Sequence, residues 1–179
     1  DPAWSPDGTR IVFSRLGGSV RIIYVVDVDG GNPQRLTTEW DPPSMDATWS
    51  PDGTRIAFTR NVDCYACWPL DPWNIYVMDA DGGDAQQLTD DLAVDLDPAW
   101  SPDGTRIAFT RDHKDIYLMD ADGGNVEQLT DESGLNSVPA WSPDGTRIVF
   151  MSNRDGDWDL YVMDADGTNV QQLTDTPGP

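Results

Sequence analysis

Basic residues are scarce in this chain. Its 179 residues include 11 Lys and Arg against 32 Asp and Glu, which gives a formal net charge of -21 at pH 7. Such an excess of negative charge argues against a surface that binds nucleic acid or an anionic membrane. No apolar run approaches the roughly 18 residues of a membrane-spanning helix, so no membrane span is expected.

Glutamate is also rare, since only three of the 32 acidic residues are Glu and the others are Asp. Aspartate prefers turns and helix caps to helix interiors. Together with 16 Gly and 14 Pro, this composition predicts a globular, β-rich protein with many turns.

Cysteine and histidine are nearly absent. The only cysteines, Cys64 and Cys67, form one Cys-x-x-Cys pair, and without a second pair a cysteine-based zinc site is not expected. No helical pattern surrounds the pair, as a thioredoxin-like site would require. A disulfide that staples this loop is the favoured interpretation and points to an oxidising compartment, with free thiols as the alternative.

The sole histidine, His113, lies beside the sole lysine, Lys114. A Ser-His-Asp triad would need His113 as its base, and the sequence has no Gly-x-Ser-x-Gly nucleophile elbow. Among 32 acidic residues, no spacing singles out a carboxylate pair for glycoside hydrolysis. The sequence therefore predicts no enzyme, and a carbohydrate-active or metal-dependent enzyme remains the alternative.

The main feature of the sequence is a repeat that occurs four times. The run AWSPDGTRIVF at Ala3 returns as TWSPDGTRIAF, AWSPDGTRIAF and AWSPDGTRIVF, placing four tryptophans at intervals of 45, 51 and 41 residues: Trp4, Trp49, Trp100 and Trp141. Each copy continues with a second block of the type YVMDADGGDAQQLT, which starts at Tyr24, Tyr76, Tyr117 and Tyr161. Such a period of about 45 residues is typical of solenoids and propellers.

Turn motifs divide each unit into four short strands. Ser-Pro-Asp-Gly and Asp-x-Asp-Gly both read as tight turns. In the fourth unit they bound 147–151 and 160–163, which are apolar on both faces, whereas 170–174 is mostly polar and fits an exposed edge. Four strands of graded burial, repeated four times, predict an all-β fold of four antiparallel propeller blades.

The two blocks resemble the WD-like repeat of the TolB-type β-propeller family, and the resemblance covers nearly the whole chain. It implies a non-catalytic propeller that binds a protein or peptide partner outside the cytoplasm. Related blades also occur in propellers of serine peptidases and of polysaccharide lyases. Those lyases use several histidines around a metal, whereas this chain has one.

The number of blades departs from TolB, which has six. We predict one propeller domain over 1–179, with blades at about 1–38, 46–90, 97–131 and 138–175. Either the four blades close into a small ring, or two chains form a homodimer with an eight-bladed ring. A piece of a longer array without its own ligand is a third interpretation.

Irregular sequence is concentrated in the loops expected on one face of such a propeller, where binding residues tend to lie. Several aromatic side chains fall there and, with His113, form a candidate ligand-binding set for a peptide or a carbohydrate: Trp40, Tyr65, Trp68, Trp73 and Trp158. The alternative is that the long loop 60–73 packs over its own aromatics.

Three aspartates precede the first strand of their blades by the same spacing: Asp1, Asp46 and Asp97, with Val138 at the fourth position. Ring symmetry predicts that these carboxylates meet near the mouth of the central channel. They could hold calcium or another divalent cation, or a cationic peptide group, with Asp95 and Asn136 as further oxygen ligands. Alternatively, each Asp bonds backbone amides of its own turn.

The Asp-x-Asp-Gly turns, which begin at Asp27, Asp79, Asp120 and Asp164, lack the late Glu of an EF-hand and read as structural turns. The alternating Asp155, Asp157 and Asp159 also fit an ordinary hairpin turn.

Overall fold

The computed structural model describes residues 1–18, 20–62, 72–131 and 134–175. These residues form sixteen strands in four four-stranded antiparallel sheets, and each sheet takes its strands in sequence order. The prediction of four antiparallel blades is therefore confirmed. In the part of the chain that is described, no helix has the length and hydropathy needed to cross a membrane.

Each blade contains one repeat unit. The strands are, for the first blade, β1 (Ala3–Trp4), β2 (Arg10–Gly17), β3 (Val20–Asp27) and β4 (Gln34–Arg35); for the second, β5 (Ser44–Trp49), β6 (Arg55–Asn61), β7 (Trp73–Asp79) and β8 (Gln86–Gln87); for the third, β9 (Asp95–Trp100), β10 (Arg106–Arg111), β11 (Asp115–Asp120) and β12 (Glu127–Gln128); for the fourth, β13 (Asn136–Trp141), β14 (Arg147–Ser152), β15 (Asp159–Asp164) and β16 (Gln171–Gln172).

The two middle strands of each blade form the core, as their apolar sequences predict. The largest fully buried side chains come from these strands, among them Phe58, Phe109 and Phe150. The fourth strand of each blade is only two residues long, and both of its residues are exposed. First strands contact one another from blade to blade, β1 to β5, β5 to β9 and β9 to β13, which places them along the inside of the arc.

The Ser-Pro-Asp-Gly turns are held by their aspartates. In the third blade, Asp103 accepts hydrogen bonds from the Ser101 hydroxyl at 2.6 Å and the Thr105 amide at 3.0 Å. These bonds lower the pKa of Asp103 to about 2, because they favour the ionised carboxylate. Asp7 and Asp144 make the same bonds, so these acids serve the turns.

Neighbouring blades pack face to face. Ala57, Ile75 and Val77 of the second blade lie in one buried cluster with Trp100, Ile107, Phe109 and Met119 of the third. The same arrangement joins the first blade to the second and the third to the fourth. We call the face of a blade that meets the next blade its trailing face, and the face that meets the preceding blade its leading face.

The arc of blades is open over the described residues. Among the described strands, none of the first blade contacts one of the fourth. Trp4 on the leading face of the first blade is accordingly 60% exposed, whereas its counterparts Trp49 and Trp100 are only 5% and 7% exposed.

Candidate binding face

The loops between second and third strands lie beside the linkers between blades. Asp112 donates its amide to the Val94 carbonyl at 2.8 Å and accepts the Val94 amide on Oδ1 at 3.0 Å. Asn153 and Leu135 make the equivalent pair of bonds one blade later. We call the surface formed by these loops and linkers the loop face; the tight turns lie at the opposite ends of the strands.

Exposed apolar side chains are spread over the loop face. Leu16 lies near the end of β2 and Val138 lies in β13, and the others lie on linkers or loops: Trp40, Leu92, Leu135 and Trp158. Trp40 is 89% and Trp158 46% exposed, so two of the predicted aromatic residues are available to a ligand. Trp73 is half-buried at the start of β7, where it pairs with Asn61. Tyr65, Trp68, Cys64 and Cys67 lie outside the described residues.

Asp46 and Asp97 occupy β-bulges in the first strands of their blades. The strand pairing shifts register between Met45 and Thr48 in one blade, and at the equivalent place in the next two. Both aspartates have left-handed backbone angles, with φ of 52° and 53°. Aspartate tolerates this conformation better than most residues, which gives a backbone reason for Asp at this position.

Both bulge carboxylates have raised pKa values. Burial raises the pKa of Asp46 above its ordinary value, and the negative charge of Asp97 raises it further. Burial also raises the pKa of Asp97, although the Thr110 hydroxyl donates a hydrogen bond to its Oδ2 at 3.1 Å. A positive group placed between them would relieve this repulsion.

The other predicted channel and loop residues differ from this pair. Asp1 is exposed ahead of β1. His113 is exposed in a tight turn in which both Asp112 and His113 have positive φ, 55° and 54°. Within the described residues, no group of three or more His, Cys, Asp or Glu side chains is placed to hold a metal ion.

Val138 takes the bulge position of the fourth blade with φ of 54°. A β-branched residue is strained in this conformation. Replacing Val138 with Asn should therefore raise the free energy of unfolding by about 1–2 kcal/mol, because Val138 is 51% exposed and loses little burial. Urea unfolding measures the change. Ser137→Asn, one residue earlier and outside the bulge conformation, is the control; equal stability of the two variants would contradict the prediction.

A second ring of polar residues lies two positions before the bulge: Ser44, Asp95 and Asn136 are all fully buried. Arg111 donates from Nε and Nη2 to the two Asp95 oxygens at 2.7 and 2.8 Å, and Arg60 donates to the Ser44 hydroxyl at 3.1 Å. Asn136 donates to the Lys114 carbonyl at 3.0 Å. Asp95 and Asn136 are thus engaged in joining strands and blades.

The arginines of this ring were not identified from the sequence. Arg111 stacks over the Phe109 and Tyr117 rings at 5.3 and 4.8 Å, and Arg60 stacks in the same way in the second blade. The signal was available, because an Arg follows the Phe of the second strand by two residues in the first three units. The first-strand residue that accepts from this Arg differs between units, Ser44 in the second blade and Asp95 in the third. The sequence repeat therefore did not reveal the pairing.

The acidic turns opposite the loop face are structural. Asp122 accepts the Gly124 amide at 3.0 Å, and Asp120 accepts from the Asn125 side chain at 2.6 Å. Equivalent bonds from the amide two residues on recur in the other three Asp-x-Asp-Gly turns. On the loop face itself, Asp155 accepts the Tyr161 hydroxyl, and its turn closes through the hydrogen bond from the Gly156 amide to the Asn153 carbonyl.

Comparison with known proteins supports the resemblance. A family model described as the TolB beta propeller domain matches residues 110–178, and one described as the dipeptidyl peptidase IV (DPP IV) N-terminal region matches 72–138. A protein TolB homolog from Chlorobium chlorochromatii (strain CaD3) is 38% identical over 108 residues, which is 60% of this chain and 22% of that protein.

Two solved structures extend the match to 98% of this chain. The putative TolB from Agrobacterium tumefaciens superposes with a TM-score of 0.81 at 30% identity, over 61% of its own length. TolB from Acinetobacter baumannii superposes with a TM-score of 0.83 at 27% identity, over 43% of its length. This chain thus spans less than two thirds of each of these relatives. The sequence and structural matches together show that its four blades are similar to those of TolB-type β-propellers.

Proposed function

We propose that this propeller is a non-catalytic binding module whose loop face takes up an extended peptide or a protein segment that carries a positive charge. The carrying observation is that the apolar side chains left exposed on the loop face accompany the half-buried carboxylates of Asp46 and Asp97, which lie in equivalent bulges of neighbouring blades. The extracytoplasmic location implied by the TolB resemblance is part of this proposal.

The apolar part of the face supports a protein-like ligand. Trp40 is 89% exposed on the linker between the first two blades. Large exposed aromatic rings are unfavourable in water and are enriched at the centres of protein interfaces. The hydrogen bonds between loops and linkers hold the described parts of the face in place before a ligand arrives, which reduces the entropy lost on binding.

The charged part of the face supports a cationic group. Asp46 and Asp97 are partly buried, and each ionised carboxylate is disfavoured by burial. An ammonium or guanidinium group of a peptide would add positive charge beside these carboxylates together with hydrogen-bond donors. Calcium or another divalent cation is the alternative occupant, with waters completing its oxygen ligands.

The test is a selection of peptides from a random phage-displayed library on the immobilised chain, followed by calorimetric titration of the best binder. Trp40→Ala should weaken that peptide by at least about tenfold, equivalent to about 1.4 kcal/mol. Asp97→Asn should weaken it further where the peptide carries Lys or Arg.

Val28→Ala is the matched control, because Val28 is 53% exposed on a turn at the opposite face. Enrichment of peptides that bind wild type, Trp40→Ala and Val28→Ala equally would refute the proposed face, as would enrichment of no peptide at all. A titration with calcium chloride in place of the peptide tests for a cation site. Calcium binding that Asp97→Asn abolishes would show that the carboxylates bind a metal ion instead of a peptide.

A further inference from the structure

The bulge position of the first strand changes its chemistry between the third and fourth blades. Asp46, Asp97 and Val138 take this position in the second, third and fourth blades, with φ of 52°, 53° and 54°. Because the backbone conformation is the same in all three bulges, only the chemistry of the side chain differs. Two acidic positions are therefore followed by an apolar one.

A shared hydrogen-bond partner holds Asp97 beside Val138. The Thr110 hydroxyl donates to Asp97 Oδ2 at 3.1 Å and accepts the Val138 amide at 3.1 Å. The Val138 amide also offsets part of the effect of burial on the pKa of Asp97. The acidic position of the third blade and the apolar position of the fourth thus lie side by side.

This connection distinguishes the third and fourth blades from the pair before them. The hydroxyl of Thr59, the counterpart of Thr110, is buried without a hydrogen-bond partner in the described part of the chain. Trp141 Nε1 donates to the Ala99 carbonyl across the same interface at 3.1 Å, whereas Nε1 of its counterpart Trp100 is buried and has no partner there. The two bulges are therefore fixed relative to each other before a ligand binds, which reduces the entropy lost on binding.

The two positions offer opposite chemistry to a ligand. Asp97 forms no ion pair with a basic side chain among the described residues. Val138 is 51% exposed, and Leu135, just before β13, is 42% exposed. A positive side chain can therefore pair with Asp97 while an apolar side chain of the same ligand covers Val138 and Leu135.

We propose that the loop face selects a peptide segment in which a Lys or Arg and a large apolar residue are separated by one residue, with the cation at Asp97 and the apolar side chain on Val138 and Leu135. In an extended chain alternate side chains point to the same side, about 6.6 Å apart, which suits two groups held side by side on neighbouring first strands. This inference rests on the proposed peptide-binding function and specifies the chemistry of its ligand.

The test is selection of a random phage-displayed library in parallel on the wild-type chain, on Val138→Asp and on Val28→Asp. The wild type should enrich peptides with a basic and an apolar residue one residue apart. Val138→Asp presents an acid at both positions and should instead enrich two basic residues with that spacing. Val28→Asp is the matched control, because Val28 is 53% exposed on a turn at the opposite face, and it should enrich the same peptides as the wild type.

Val138→Asp should fold, because Asp takes the same bulge in the second and third blades. Circular dichroism checks this, and Val138→Asn replaces the variant if it is unfolded. With Asn at this position the preference for the apolar residue should be lost without a gain of preference for a second basic one.

Calorimetric titration measures the change in specificity, with the best wild-type binder and a copy of it in which Lys replaces the apolar residue. Val138→Asp should bind the original peptide at least about tenfold more weakly than the wild type does, and the Lys copy at least about tenfold more tightly. A variant that merely disturbed the fold would weaken both peptides.

Enriched peptides without the spaced pair would overturn the inference, and so would identical sequences selected on the wild type and on Val138→Asp. If those peptides still lose affinity on Trp40→Ala, the loop face binds peptides as proposed and only the specificity is wrong. Enrichment of no peptide would refute both.

Discussion

Replacing Arg111 with Met is expected to lower the free energy of unfolding by about 3–5 kcal/mol at neutral pH, because it leaves a buried carboxylate without its countercharge. Asp95 is fully buried, and its two oxygens receive the Nε and Nη2 hydrogen bonds of Arg111 at 2.7 and 2.8 Å. Urea unfolding followed by tryptophan fluorescence measures the loss.

The repeat supplies a matched control for this substitution. Arg60 stacks on Phe58 and Tyr76 as Arg111 stacks on Phe109 and Tyr117, but its partner is the neutral Ser44. Arg60→Met removes the same stack and one neutral hydrogen bond, and should lower the free energy of unfolding by about 1 kcal/mol. The difference between the two variants reports mainly the buried charge, because the further ion pair of Arg111 with the half-exposed Asp91 is worth little. Similar losses in both would contradict the argument.

The Arg111 variant should also respond to pH. Burial already raises the pKa of Asp95, and Arg111 opposes that rise. Without Arg111 the pKa in the folded state rises further above the unfolded value of about 3.9. A carboxyl group with a raised folded-state pKa favours folding at low pH and loses that contribution as the pH rises through its folded pKa. The deficit of Arg111→Met should therefore be largest at neutral pH and shrink towards pH 4, and adding Asp95→Asn should reduce it at neutral pH.

Replacing Phe109 with Ala is expected to lower the free energy of unfolding by about 3–5 kcal/mol, because the ring is fully buried and its removal leaves a cavity between the second and third blades. The ring lies in one cluster with Ile75 and Val77 of the second blade and contacts Tyr117 with a centroid distance of 5.8 Å. Thermal or urea unfolding provides the measurement.

Phe13→Ala is the control from the first blade. Phe13 pairs with Tyr24 at 5.9 Å as Phe109 pairs with Tyr117, but no described strand of the fourth blade packs against its leading face, and its side chain is half-buried. Its removal from the isolated chain should lower the free energy of unfolding by only about 1–2 kcal/mol. Equal losses in dilute monomer would show that Phe13 is covered by the chain's own fourth blade.

Most of the fold could be predicted from the sequence. The turn residues of Ser-Pro-Asp-Gly and Asp-x-Asp-Gly determine their backbone locally, as the bonds of Asp103 and Asp122 show. The apolar runs on both faces of β6, β10 and their neighbours required cover on both sides. The repeat then predicted the packing of the blades as well, because four units of similar sequence pack against one another through similar interfaces.

The candidate site could be predicted only in part. The Asp46 and Asp97 spacing was visible in the sequence, but their left-handed bulge conformation and the burial that raises their pKa values depend on strand pairing across the blade. The pairing of Arg111 with Asp95 joins residues 16 positions apart, and the equivalent first-strand residue is Ser44 or Asn136 in other blades. No local pattern could assign those partners.

The sequence by itself determined the unit: the turns, the strand lengths and the alternation of covered faces follow from propensities that act over a few residues. Only the tertiary structure decided which faces of the first and fourth blades are covered. Whether Trp4 and Leu160 are covered depends on contacts between blades that are far apart in the chain, and the four repeats carry the same residues whether or not those contacts form. Local interactions specify a blade, whereas the closure of a ring depends on the sum of small rotations between blades.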